Sequence, residues 1–246
     1  MRYFLEVSYK GTAYSGFQAQ KNANTIQTEI EKAFKIILKE DISLTSSSRT
    51  DAGVHAYQNY FHFDINRIIS SKLLYNLNAV LPGDISVNGL KEVSDNAHCR
   101  FDALSREYKY FIYKKKNPFL TEKAFYFPYT LDLHLMQEAA AIIKEYADFT
   151  SFSKRNTQVK SFVCDIKESK WIIQDECLIY NVKANRFLRG MVRALTATML
   201  KLGRRKISIV DFRNIIEARD CTLANFAVPP HGLFLTQVSF PTNYFI

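Results

Sequence analysis

The chain has 246 residues, 47% of them apolar, and a formal net charge of +9, enough to build a sizeable core in one large domain or two small ones. No run of about eighteen apolar residues occurs, and the opening "MRYFLEVSYK" alternates like a strand, so neither a membrane span nor a secretory leader is expected. Cys99, Cys164, Cys177 and Cys221 are widely spaced with no CxxC pair, which argues against a zinc knuckle or a disulfide framework and for reduced, mostly buried thiols in a cytoplasmic protein.

In chain order, a strand over 2–9 precedes a helix over 25–39, where Ile26, Ile30, Ala33, Phe34, Ile37 and Leu38 recur at helical spacing behind Thr25 as N-cap. Strands follow over 42–48 and over 57–64, the latter rich in aromatics. A helix over 70–80 stops at Pro82-Gly83, and a strand over 84–93 completes a βαββαβ order. The second half repeats it. A strand over 107–114 leads to a helix over 132–146, with Leu135, Met136, Ala139, Ala140 and Ile143 on one face. Strands over 159–170 and 175–184, a long helix over 187–202, a short helix over 208–218 and a strand over 233–240 finish the chain. The order predicts an α+β protein of two ferredoxin-like halves, each a mainly antiparallel sheet with helices on one face. The boundary falls near residue 104, giving domains 1–104 and 105–246 with a cleft between them and the last strand free to pack back on the first half.

The charge is unevenly divided. Residues 1–103 hold 11 basic and 11 acidic residues, leaving 22 basic against 13 acidic in 104–246. An excess of that sign attracts polyanions through counterion release, and nucleic acid is the commonest such partner. The clusters Lys114-Lys115-Lys116, Lys154-Arg155 and Arg204-Arg205-Lys206 suit phosphate contacts with a folded RNA, though each alone also suits a solvated surface. His55, His62, His98, His134 and His231 show no metal-ligand spacing, and no metal is expected.

The segment "SSSRTDAGVHA", Ser46 to Ala56, places Arg49 and Asp51 two apart. In extended backbone both project to one face, and Gly53 permits a sharp turn that leaves Asp51 at a loop tip. The same residues also suit a plain turn. On the predicted helix over 187–202, Arg186, Arg189 and Arg193 would form a basic stripe. Tyr108 and Tyr110 share one face of a strand, a common place for aromatics in β structure.

From end to end the chain resembles the tRNA pseudouridine synthase A family. The matching pieces are "YKGTAYSGFQAQKNANTIQTEIEKA", "SRTDAGVHA", "LPGDISV", "HCRFDALSREYKYFIY", "DFTSFSKRNTQVKSFVCDI", "NRFLRGMVRALTATMLKLG" and "NFAVPPHGLFL", in that order. The departures are Ser48, where the family pattern has a smaller Gly or Ala, and the Arg189-Gly190 pair. The resemblance implies the pseudouridine synthase fold and conversion of uridine to pseudouridine at positions 38, 39 and 40 in the anticodon stem-loop of tRNA. It also implies no cofactor and a homodimer. It makes Asp51 the catalytic carboxylate, as nucleophile or as the base that starts glycal formation, with the target base flipped out of its stack. Arg193 would pair with Asp51 and keep it ionised, Arg49 would hold or displace the RNA, Tyr108 would stack on the uracil, and Leu233 would pack beside it. Arg186, Arg189, Lys154 and Arg155 would contact the RNA. Two rival readings are a non-catalytic RNA-binding protein on the same fold and a metal-dependent nuclease. The second needs clustered acids, and those nearest to Asp51 are Asp41 and Asp64.

Overall fold

The computed structural model describes residues 1–155 and 159–245. The chain divides into two compact units, Met1–Ser105 with Phe234–Ile246, and Arg106–Leu233. Both are α+β, with mainly antiparallel strand pairing.

The first unit comprises β1 (Arg2–Tyr9), α1 (Ile26–Leu38), β2 (Thr45–Ser46), β3 (His55–Asp64), α2 (Lys72–Val80) and β4 (Ile85–Val93). Its sheet runs β4-β1-β3 antiparallel, and β9 (Leu233–Ser239) joins β3 in parallel at His55↔Phe234 and Ala56↔Leu235. The period of two along β1 and β3 separates the faces. Phe61 and Phe63 point to the helical side, where Phe17 stacks on Phe61 and Phe34 of α1 meets Phe63 edge-on at 4.9 Å. Helix α1 buries Ile26, Ile30, Ala33 and Phe34, one stripe at helical spacing. Ile26, Ile30 and Phe34 each contribute about 1.5–3 kcal/mol on burial. Thr25 caps α1 by accepting from the Thr28 amide at 3.2 Å, and Lys39 ends it in a left-handed conformation. On the opposite face, Phe4 and Tyr60 lie under Phe240 and Phe245, and Phe4 also meets Tyr244. The segment after β9 therefore covers the face that the helices leave open.

The strand expected over 42–48 shrinks to the two residues of β2. The Leu44 amide donates to Glu31 Oε1 and its carbonyl accepts from Gln27 Nε2, so helix side chains take the backbone groups that a strand would have paired.

The second unit comprises β5 (Ser105–Tyr113), β6 (Phe125–Tyr126), α3 (Leu133–Ile142), β7 (Ile166–Gln174), β8 (Cys177–Ala184), α4 (Met191–Gly203) and α5 (Ile209–Glu217). Strands β5-β8-β7 are antiparallel, and β6 adds to β5 in parallel. Helix α4 is the core of this unit: of its thirteen residues only Arg193 and Lys201 are not buried. Its buried Thr196 and Thr198 hydroxyls donate back to the Val192 and Ala194 carbonyls at 2.8 Å, which satisfies two polar groups inside the core. Gly203 lets α3 approach, since a Cβ there would sit 2.4 Å from Met136 Sδ. Helix α5 opens with a capping box, Ser208 and Asp211.

Two further expectations need correction. Strand β7 begins at Ile166, not 159, because the Phe162 carbonyl and the Cys164 amide bond to Phe149 and Ala147; residues 156–158 of the adjoining motif lie outside the described residues. Helix α4 begins at Met191, not 187, because Gly190 stands at φ 75° and breaks the helical path. The last strand, from Phe234 onward, groups with the first unit, a placement the sequence analysis left open.

Candidate active site

In the first unit, Asp51 is half-buried at the start of a tight turn, closed by the Val54 amide donating to the Asp51 carbonyl at 3.2 Å. Gly53 has φ 75° and its amide donates to the Tyr14 carbonyl. Before the turn the side chains alternate: Ser48 and Thr50 are buried and Arg49 is exposed, so Arg49 points away from the core that grips its neighbours. The Thr50 hydroxyl shares a 2.8 Å hydrogen bond with the Tyr9 hydroxyl, and the Thr50 carbonyl accepts from Phe17 N at 3.1 Å. Asn59, fully buried, donates to the Ser48 carbonyl at 2.9 Å.

Two glycines make the fit possible. A Cβ on Gly11 would lie 2.0 Å from the Val54 carbonyl oxygen, and Gly16, at φ 102°, would place one 3.2 Å from the Thr50 oxygen. The turn that carries Asp51 is thus pinned from both sides by the loop after β1. Tyr9, Gly11, Gly16 and Asn59 escaped the sequence reading as site residues; the "YKGTAYSGF" string quoted for resemblance held three of them. His55 belongs to the same support. Its Nδ1 accepts from Gly11 N at 3.0 Å and its ring stacks on Phe234, whose ring also stacks with Tyr57 at 4.9 Å.

The Ser48 hydroxyl, buried, has no hydrogen-bond partner among the described residues. A small apolar residue would leave no such group, which gives the departure at this position a physical cost.

In the second unit, Arg193 leaves the first turn of α4 half-buried, and both Nε (3.0 Å) and Nη2 (2.6 Å) donate to the Val228 carbonyl. The next carbonyl, that of Pro229, accepts from the Tyr110 hydroxyl at 2.8 Å. Burial pushes the Tyr110 phenol well above its ordinary range, so it stays a donor. Gly232 passes so close to Tyr110 that a Cβ would be 2.8 Å from its ring, and Leu233 follows, buried. Tyr108, also buried, meets Phe187 edge-on at 5.1 Å.

The basic stripe expected on one helix is not formed. Arg186 and Arg189 precede Gly190 in irregular backbone, and only Arg193 is helical. Arg189 is instead brought to Lys154, whose amide donates to the Arg189 carbonyl at 3.0 Å while its aliphatic stem lies over Gly190. Arg155 beside it is exposed, as is Lys114-Lys115-Lys116. Among the described residues, no three His, Cys, Asp or Glu side chains gather as a metal site.

The two mainly antiparallel α+β units, with the Asp51 carboxylate on a braced turn in the first, have the pseudouridine synthase fold, an architecture of RNA-modifying isomerases. The profile of the family described as tRNA pseudouridine synthase matches residues 6–102 and 146–241. The proteins called tRNA pseudouridine synthase A from Azobacteroides pseudotrichonymphae and Parabacteroides distasonis are 43% and 42% identical to this chain, over 99% of it and 98% of their own length. That of Staphylococcus aureus is 36% identical over 99% of this chain and 92% of its own. The chain belongs to the tRNA pseudouridine synthase family, and as an enzyme it is an isomerase.

Proposed function

We propose that the chain isomerises uridine to pseudouridine at positions 38, 39 and 40 in the anticodon stem-loop of tRNA, as a cytoplasmic homodimer, with Asp51 as the nucleophile. The observation that carries this reading is the bracing of the Asp51 turn. Its neighbours are locked by Tyr9, Phe17, Val54 and Asn59, the preorganisation expected of a reacting group. In the proposed reaction the target nucleotide leaves its stack. The bond from C1′ to N1 breaks while the carboxylate engages the nucleotide, the uracil turns over, and a bond forms from C1′ to C5. C5 loses its proton and N1 gains one, so nothing is oxidised and atoms balance without a cofactor. Tyr108 and Leu233 flank the uracil in this scheme, Arg193 pairs with the carboxylate and Arg49 occupies the space the base vacates. Residues 1–104 supply the catalytic turn. The basic residues of 105–246, among them Arg186, Arg189, Lys154 and Arg155, hold the phosphates.

The deciding experiment is tritium release from tRNA labelled at uracil C5. Asp51→Ala and Asp51→Asn are expected to bind tRNA with wild-type affinity and to release no label. Wild-type release from Asp51→Ala would end the catalytic assignment.

A further inference from the structure

The second unit holds a cavity of about 430 Å³ that the reaction scheme does not use. One wall is a stripe of α4, Ala197, Leu200 and Lys201, spaced i, i+3 and i+4 so that all face one way, and Arg204 adds to it just past the end of the helix. The aromatic side is Phe127, and the rim adds Lys206 and Ala227. Among the described residues no Asp or Glu lines it. Lys201, Arg204 and Lys206 are all exposed, and the Arg204 guanidinium lies 3.9 Å above the ring of Tyr129, itself edge-on to Phe127 at 4.9 Å. Aromatic faces beside clustered cations, without a carboxylate to repel an anion, are the composition of a nucleotide site: the ring face takes a base and the cations take its phosphate. The volume falls within the range of small-ligand clefts, roughly 300–1,000 Å³.

From this chemistry we infer that the cavity is a second RNA subsite, which holds an unstacked nucleotide of the tRNA other than the one that reacts, its base toward Phe127 and its phosphate on Lys201, Arg204 and Lys206. The inference rests on tRNA being the substrate. The cavity has a direct link to Arg193, because Val228, whose carbonyl receives both Arg193 donors, forms part of its wall. Arg193 also stands one helical turn before Ala197 on the same stripe.

Two variants with opposite chemistry test this. Ala227→Trp fills the exposed mouth and leaves every cation in place; it is expected to raise KM for tRNA about tenfold with kcat kept. Lys201→Glu with Lys206→Glu removes the phosphate contacts; the slope of log affinity for tRNA against log salt is expected to fall by about 2. Unchanged KM in Ala227→Trp and an unchanged slope in the double variant, with wild-type enzyme active on tRNA, would overturn the subsite. If uridine monophosphate or adenosine monophosphate binds the wild-type protein and Ala227→Trp abolishes that binding while KM for tRNA stays constant, the cavity serves free nucleotides and the RNA assignment falls. A wild-type protein that releases no label from tRNA would instead refute the activity on which the inference rests, so the two failures are distinguishable.

Discussion

Arg193 and Tyr110, on different elements of the second unit, hold consecutive carbonyls: the guanidinium takes that of Val228 and the phenol that of Pro229. The stretch before β9 is therefore fixed by side chains. Tyr110→Phe removes one bond and leaves the Pro229 carbonyl unpaired, at an expected cost of about 1–2 kcal/mol. Urea unfolding with unchanged m-value measures it.

Gly16 is the hinge of the Asp51 support. At φ 102°, with the Thr50 carbonyl 3.2 Å from where its Cβ would be, Gly16→Ala meets both backbone strain and a clash with main chain. The expected result is a loss of about 1–3 kcal/mol in stability and at least a tenfold fall in label release, since small displacements of a reacting group are costly. Wild-type release from Gly16→Ala would show that the turn tolerates movement.

Ser48→Ala is expected to act in the opposite sense. It deletes a buried hydroxyl with no partner among the described residues and retains the backbone, including the carbonyl that accepts from Asn59. Thermal unfolding should show a gain of up to about 1 kcal/mol.

Acid sensitivity should centre on His62. Burial first, then the charges of His98 and Arg2, lower its pKa to about 4, and its Nδ1 accepts from Cys99 N, which a proton there would forbid. The unfolded chain binds this proton near pH 6.5, so stability is full above that value. It is lost as pH falls toward 4, at no more than about 1.4 kcal/mol per pH unit. His62→Gln should flatten that part of the stability profile, as followed by chemical denaturation from pH 7 to 4.

Strongly periodic elements were legible in the sequence. The α1 stripe and its Thr25 cap, the β4 strand and the β7–β8 hairpin follow from patterns that local physics enforces. The failures arose where side chains or distant backbone outbid the local pattern. Glu31 and Gln27 claimed the main chain around Leu44, and Ala147 and Phe149 claimed that of Phe162 and Cys164. The "FLRGMVR" string has helical hydrophobic spacing throughout, but Gly190 takes a left-handed conformation that periodicity does not report; the glycine itself was the available signal. For the site, the turn at Asp51 was legible through Asp51 and Gly53, whereas the catalytic role proposed for Asp51 came from the resemblance and not from the turn. The Tyr9–Thr50 bond, the Asn59–Ser48 bond and the double grip of Arg193 on Val228 join positions 41, 11 and 35 residues apart, and no local pattern in one sequence encodes such pairings.

The parallel pairing of β9 on β3, with Phe240 and Phe245 over Phe4, sets an order of events during synthesis. The ribosome makes the first unit's helices and three main strands early, yet the strand and rings that complete it follow the whole of the second unit. Until they arrive, Phe4 and Tyr60 face water on an unfinished sheet. The first unit is therefore incomplete while the second is being made, and the turn bearing Asp51 gains its His55–Phe234 prop only when the chain is nearly finished.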